Sequence, residues 1–254
     1  MPDLSSARIK LQRAHEYLAL FDSELRSFLE REPYKLIPNG YGESGDYRFT
    51  VRISEKPSFR LPLYAGGFSH YLRCVIEHTA WQLSLLTTDN PVGRTAFPVF
   101  LDPERYKKEG LPKIQDVFGD AKPIIEELQP YQTGLGTSHP LWTIMIFSDV
   151  DKHRDLAIVQ TSIRIHFAVG EGFRSGLLFN SNPPLYDGQD ISIGISLDNI
   201  PNDQMDLKID PVFSIVAEKR SGSEMLRALI SVDGLMPIYE FVRDNFLPRF
   251  DGFF

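Results

Sequence analysis

A chain of 254 residues, 42% apolar and 24% charged, is long enough to bury a full core and too ordinary in composition to be globally disordered. Its net charge of −7 and pI near 5.4 exclude a surface that coats nucleic acid broadly, while leaving room for a local basic site. The single cysteine, Cys74, excludes an internal disulfide. No apolar run is long enough for a signal-peptide core or a membrane span, which together with Cys74 points to the cytoplasm.

In chain order, Ala7, Leu11, Ala14, Leu18, Phe21, Leu25 and Phe28 are spaced by fours and threes. This is one apolar stripe on a helix over residues 4–31, capped by Asp3, Ser5 or Ser6 and stopped by Pro33. Residues 38–45, rich in Gly and Asn, read as a loop. Tyr47, Phe49, Val51 and Ile53 then alternate with polar residues, the pattern of a half-buried strand. A second helix is predicted over residues 66–87. It carries Phe68, Leu72, Val75, Thr79, Leu83 and Leu86 on one side and His70, Cys74, Glu77 and Trp81 on the other. Because an open face rarely holds a Trp and a Cys, both sides are expected to be covered.

Residues 88–119, punctuated by Pro91, Pro98, Pro103 and Pro112, are expected to be irregular, and residues 122–128 to form a short helix. Ser138 is placed to cap a helix over residues 140–154. The first turns of that helix are apolar all round, so it should be the most buried. From Ala157 to Val169 the period changes to two, a long strand with one wet face carrying Arg164 and His166. Shorter strands are predicted at residues 177–179, 191–197 and 212–219, and an amphipathic helix at 235–246. The pattern leaves open whether residues 223–230 belong to that last helix. Helices first and strands later predict an α+β fold in a single domain over residues 1–254. Residues 1–155 would form a bundle of about four helices with one early strand, packed with a mostly antiparallel sheet and a C-terminal helix from residues 156–254.

Two polar clusters interrupt the apolar helices. Arg73 and His78 are five residues apart on the second helix, about 140° around it, an angle that a long Arg can close. Such a pair suits metal-free phosphoryl chemistry, with His78 moving the proton and Arg73 steadying the phosphate. It suits equally a structural ion pair between Arg73 and Glu77. Asp151, Lys152, His153 and Arg154 lie where the buried helix ends. They would serve as an anion site assisting the first cluster, or as a solvated helix end set against the negative pole of its dipole. His70 and Glu77 on one helix and Asp149 and His153 on the other form a further, weaker set that could hold a divalent ion. No cofactor is expected, since dinucleotide loops, phosphate loops and Gly-x-Ser-x-Gly elbows are missing.

Residues 67–83 (GFSHYLRCVIEHTAWQL), Phe97-Pro98-Val99, Leu128-Gln129-Pro130-Tyr131 and Asp151-Lys152-His153-Arg154 together resemble a family of bacterial proteins of unassigned function. That family reads HNLRSALDHLAW, FPI, LQPY and DKHR in the same order. The chain has Tyr71 where that family has Asn, and Glu77 where it has Asp. A looser similarity, resting on Arg73 and His78, is to HEPN-type helical domains, many of them metal-independent RNases with an Arg-x4-6-His motif. The resemblance implies RNA cleavage by those two residues.

Two readings follow. In one, the chain is a non-catalytic interaction or scaffold protein whose clusters tie its elements together and whose partner binds elsewhere, for example on the strand face with Arg164 and His166. In the alternative it is an RNase or related phosphodiesterase using Arg73 and His78. RNA at a local site and a second copy of the chain are the partners left open, and no membrane contact is expected.

Overall fold

In the computed structural model, which describes residues 1–41, 47–153, 156–169, 173–180, 186–193, 205–221 and 224–254, the first apolar stripe becomes helix α1 (Ser5–Glu30). Leu4, Ala7, Leu11, Ala14, Leu18, Phe21 and Phe28 are buried along it. A hairpin follows, β1 (Tyr34–Tyr41) antiparallel to β2 (Tyr47–Ile53). Helix α2 (Arg60–Leu85) begins six residues earlier than its apolar pattern predicts, with Pro62 tolerated in its first turn.

Helices α1 and α2 run antiparallel in one register. Asp3 N–H donates to Gln82 Oε1 at 3.0 Å, and Ser6 Oγ bonds His78 Nδ1 at 3.1 Å. Tyr17 stacks on Tyr71 with ring centroids 5.6 Å apart, and a methyl group at Gly67 would overlap the Tyr17 ring. Only glycine lets the two helices approach so closely there.

Residues 88–119 are less irregular than their prolines suggest. They hold α3 (Pro103–Arg105), a π-helical turn over Tyr106–Gly110 and a 3-10 turn over Leu111–Ile114. Short helices α4 (Ala121–Glu127) and α5 (Pro130–Thr133) lead to α6 (Pro140–Asp151). As expected from its composition, α6 buries nearly every side, including Leu141, Trp142, Ile144, Ile146, Phe147 and Val150.

The cap of α6 is His139 and not Ser138. The buried His139 ring accepts the Leu141 N–H on Nδ1 at 3.2 Å and packs edge-on against Phe241. Burial pushes its pKa down to about 4, so it is neutral in the folded protein, while the unfolded chain takes up a proton below about 6.5. The unfolded state therefore binds more protons between these values. The contribution of His139 to stability is fully present above pH 6.5 and is lost as the pH falls toward 4, by about 3 kcal/mol. Urea melts at pH 7 and pH 4 measure that loss. In His139→Asn, which keeps an acceptor at the cap, the loss should shrink. An identical loss in the variant would place the acid sensitivity elsewhere.

The second half is built of strands. These are β3 (Ala157–Val169), β4 (Phe173–Asn180), β5 (Asp190–Ile193), β6 (Met205–Ser221) and β7 (Glu224–Ser231). Of residues 223–230, undecided from sequence, 224–230 thus fall on strand β7 and not on the last helix, and Ser223 lies outside the described residues. That helix, α7 (Leu235–Glu240), continues as a π-helical turn over Phe241–Phe246. The fold is α+β, with two sheets where the sequence suggested one. The first has strand order β1-β2-β5 and the second β4-β3-β6-β7. The described pairings, β1 with β2, β2 with β5 and β3 with β4, are antiparallel.

The chain gathers into two compact units. One comprises Met1–Asp22, Pro62–Ala157 and Ile215–Phe254, the other Ser23–Leu61 and Ile158–Ser214. The second unit is pinned by an aromatic trio, with Phe28, Tyr34 and Phe213 rings 5.8 to 6.4 Å apart. Burial pushes the Tyr34 hydroxyl up to about 12. Thr50 on β2 bridges its neighbours, accepting from Asn39 at 2.7 Å and donating to Asp190 at 2.6 Å. Among the described residues no helix is long and apolar enough to cross a membrane.

Candidate functional site

Every described residue of the two polar clusters lies in the first unit, on α2 and at the end of α6. Arg73 and Glu77, one helical turn apart, form an ion pair through Nη2 and Oε1, with side chains 17% and 31% exposed. The other Glu77 oxygen accepts the Phe97 N–H at 2.8 Å. Thus both carboxylate oxygens are committed, one along the helix and one to the segment that passes beside it. Arg73 Nη1 is buried with no hydrogen-bond partner among the described residues.

His78 is turned away from this pair toward α1, where Ser6 holds its Nδ1. Partial burial lowers the His78 pKa below the ordinary imidazole value, and the nearby Lys10 ammonium lowers it further, against an opposing pull from Glu77. The ring is therefore neutral at pH 7. Sequence spacing puts Arg73 and His78 together; in the structure each faces a different neighbour of α2.

The end of α6 reaches α2 at Gly66, where the Asp151 carboxylate occupies the space that a Cβ would fill. At this point α6 meets an uncharged residue of α2, about two helical turns before Arg73. Lys152 and His153 follow, both exposed. Helix α6 closes at Asp151, three residues short of the predicted end, and Arg154 lies outside the described residues, as do the side chains of Arg164 and His166.

The proposed metal set does not assemble. Glu77 is occupied by Arg73 and Phe97, and the exposed His70 lies beside Cys74, with Nε2 3.6 Å from Sγ. Among the described residues no three His, Cys, Asp or Glu side chains gather to hold a metal ion. Burial pushes the Cys74 thiol up, which makes it a poor nucleophile. The expectation that both sides of α2 are covered fails at Trp81, which is 39% exposed.

Sequence reasoning missed three participants. Ser6 and Lys10 belong to α1, where the sequence marks Ser6 only as a candidate cap and gives Lys10 no role. Gln129 is the third. Its buried amide donates to Pro98 O and Ile125 O at 2.9 Å and accepts from Phe100 N at 3.1 Å, so that it fastens residues 98–100 to α4. The signal was present in the short strings around Glu77, Phe97 and Gln129, which the structure joins by hydrogen bonds.

No family model, no curated protein and no solved structure matches the chain.

Proposed function

We propose that the protein is a non-catalytic interaction protein of the bacterial cytoplasm, in which Arg73, Glu77 and His78 brace α2 against its neighbours. One observation carries this reading: Glu77 spends one oxygen on Arg73 and the other on the Phe97 N–H. A metal-free phosphodiesterase needs its guanidinium free to meet charge developing on the phosphate. Here that charge is answered from within the helix. His78 likewise has a structural partner in Ser6.

The HEPN-like alternative has a specific observation in its favour. His78 is neutral at pH 7 and held by one ring nitrogen, as a general base would be, and Arg73 keeps one buried nitrogen unpaired. Incubation with RNA in EDTA separates the readings. The expected result is no cleavage, with His78→Ala costing about 1 kcal/mol of stability for its part-buried hydrogen bond. Metal-independent cleavage that disappears in both Arg73→Ala and His78→Ala, with folding intact, would establish the RNase reading instead.

A further inference from the structure

Helices α1 and α6 bring two lysines, without acidic partners among the described residues, to one strip of α2. In the α1–α2 register, Lys10 falls between the Ser6–His78 and Tyr17–Tyr71 contacts, level with Cys74. Lys152 follows Asp151, whose carboxylate lies on Gly66; Gly66, His70 and Cys74 succeed one another at spacings of four along the same strip. Both ammonium groups act on the Cys74 thiol, and neither has an acidic partner among the described residues.

The strip continues into aromatic rings. Tyr17 and Tyr71 stack with an interplanar angle of 25°, the exposed His70 meets Tyr71 edge-on at 5.5 Å, and the Arg13 guanidinium lies 5.2 Å from the Tyr17 ring centre. The nearby acids are engaged, Glu16 by Arg13 and Asp151 in its own contacts. In a chain of net charge −7, this is a local excess of positive charge beside half-buried π-faces. Cations that track a phosphate backbone, next to rings on which bases stack, are the two elements of single-strand recognition. An acidic peptide or a free phosphate would use the lysines and leave the rings idle.

We propose that this strip binds a short single-stranded nucleic acid, with a phosphate between Lys10 and Lys152 and the adjoining base against Tyr71. The inference rests on the non-catalytic reading and supplies the partner that reading leaves unnamed.

The test is fluorescence anisotropy at low salt with labelled single-stranded RNA, single-stranded DNA of the same sequence, and the corresponding duplex. The full chain is expected to bind a single strand with a dissociation constant of about 1–100 µM. A preference for RNA or DNA identifies which of the two supplies the phosphate. Lys10→Gln with Lys152→Gln should weaken binding at least about tenfold and reduce the slope of log affinity against log salt by about 1.4. Tyr71→Ala should weaken it about tenfold with the salt slope unchanged, while Tyr71→Phe, which keeps the ring, binds as the parent does. Lys56→Gln, an exposed lysine outside the strip, should have no effect.

Absence of binding to either single strand overturns the proposal. So does equal binding of duplex that ignores Tyr71→Ala, an equal loss in Lys56→Gln, or displacement by polyglutamate at the same concentration as by the oligonucleotide. Bound RNA that is cut in an Arg73- and His78-dependent way would overturn the non-catalytic reading and leave the binding strip standing. Failure to bind removes the strip alone.

Discussion

Glu77→Ala is expected to cost about 4 kcal/mol of folding stability, because it strands a largely buried guanidinium and removes the acceptor of a backbone N–H in one step. Arg73 is 17% exposed, and its Nη1 is already buried with no hydrogen-bond partner among the described residues. Phe97, whose N–H loses its acceptor, is itself buried and sits 5.2 Å from the Phe246 ring, so the loss extends to the C-terminal turns. Glu77→Gln keeps an oxygen for Phe97 but not the charge, and should lose roughly half as much. Chemical denaturation of the three proteins measures the series. A cost below about 1 kcal/mol for the alanine variant would mean that the pair is a solvated surface bridge, and the structural account of Arg73 would go with it.

Gln129→Leu should be about as damaging. Leucine fills similar space, yet Phe100 N loses its acceptor, and Pro98 O and Ile125 O lose a donor, at a site with no exposure. At 1–3 kcal/mol for each of the three buried groups left unmet, about 4 kcal/mol or more is expected. Thermal melts should register a large drop in midpoint. Gln129→Glu then asks whether the amide protons are essential: Glu can still accept from Phe100 but cannot donate to the two carbonyls, so it should not rescue. A rescue would mean that the two donated bonds contribute little.

The elements that were legible from sequence are those whose pattern is set by a single buried face. The stripe from Ala7 to Phe28 gave α1 within a residue at either end, and the alternation from Ala157 to Val169 gave β3 with the observed bounds. Strand β1 was hidden because Pro38, Asn39 and Gly40 read as a turn. They lie on an edge strand at a register shift, where a missing N–H and a positive φ of 83° at Gly40 are tolerated. Strand β7 was hidden because residues 224–231 are too short, and too apolar, to separate period two from period 3.6.

The candidate site was half legible. Residue types and spacing on α2 disclosed the Arg73–Glu77 pair, and the buried character of α6 pointed to its packing against another element. What the spacing could not disclose was direction. Turning His78 toward Ser6 and Glu77 toward Phe97 depends on which neighbours α1 and residues 95–97 present, and these are set by contacts 72 and 20 residues away in the chain. Periodicity is a local measure, so it cannot see them. The cap by His139 escaped for a similar reason: an imidazole becomes a cap acceptor only when burial keeps it unprotonated.

The shared register of α1 and α2 has a bearing on how the chain can change in length. Partners along the pair keep residue numbers that sum to nearly the same value, from Asp3 with Gln82 through Ser6 with His78 to Tyr17 with Gly67. Losing one residue inside either helix would rotate everything beyond it by about 100° and dissolve every later partnership at once. Insertions between the two helices would disturb none of them. Natural variation in size should therefore accumulate in the connecting ribbon, leaving the helical pair as the fixed ruler against which the rest of the protein is measured.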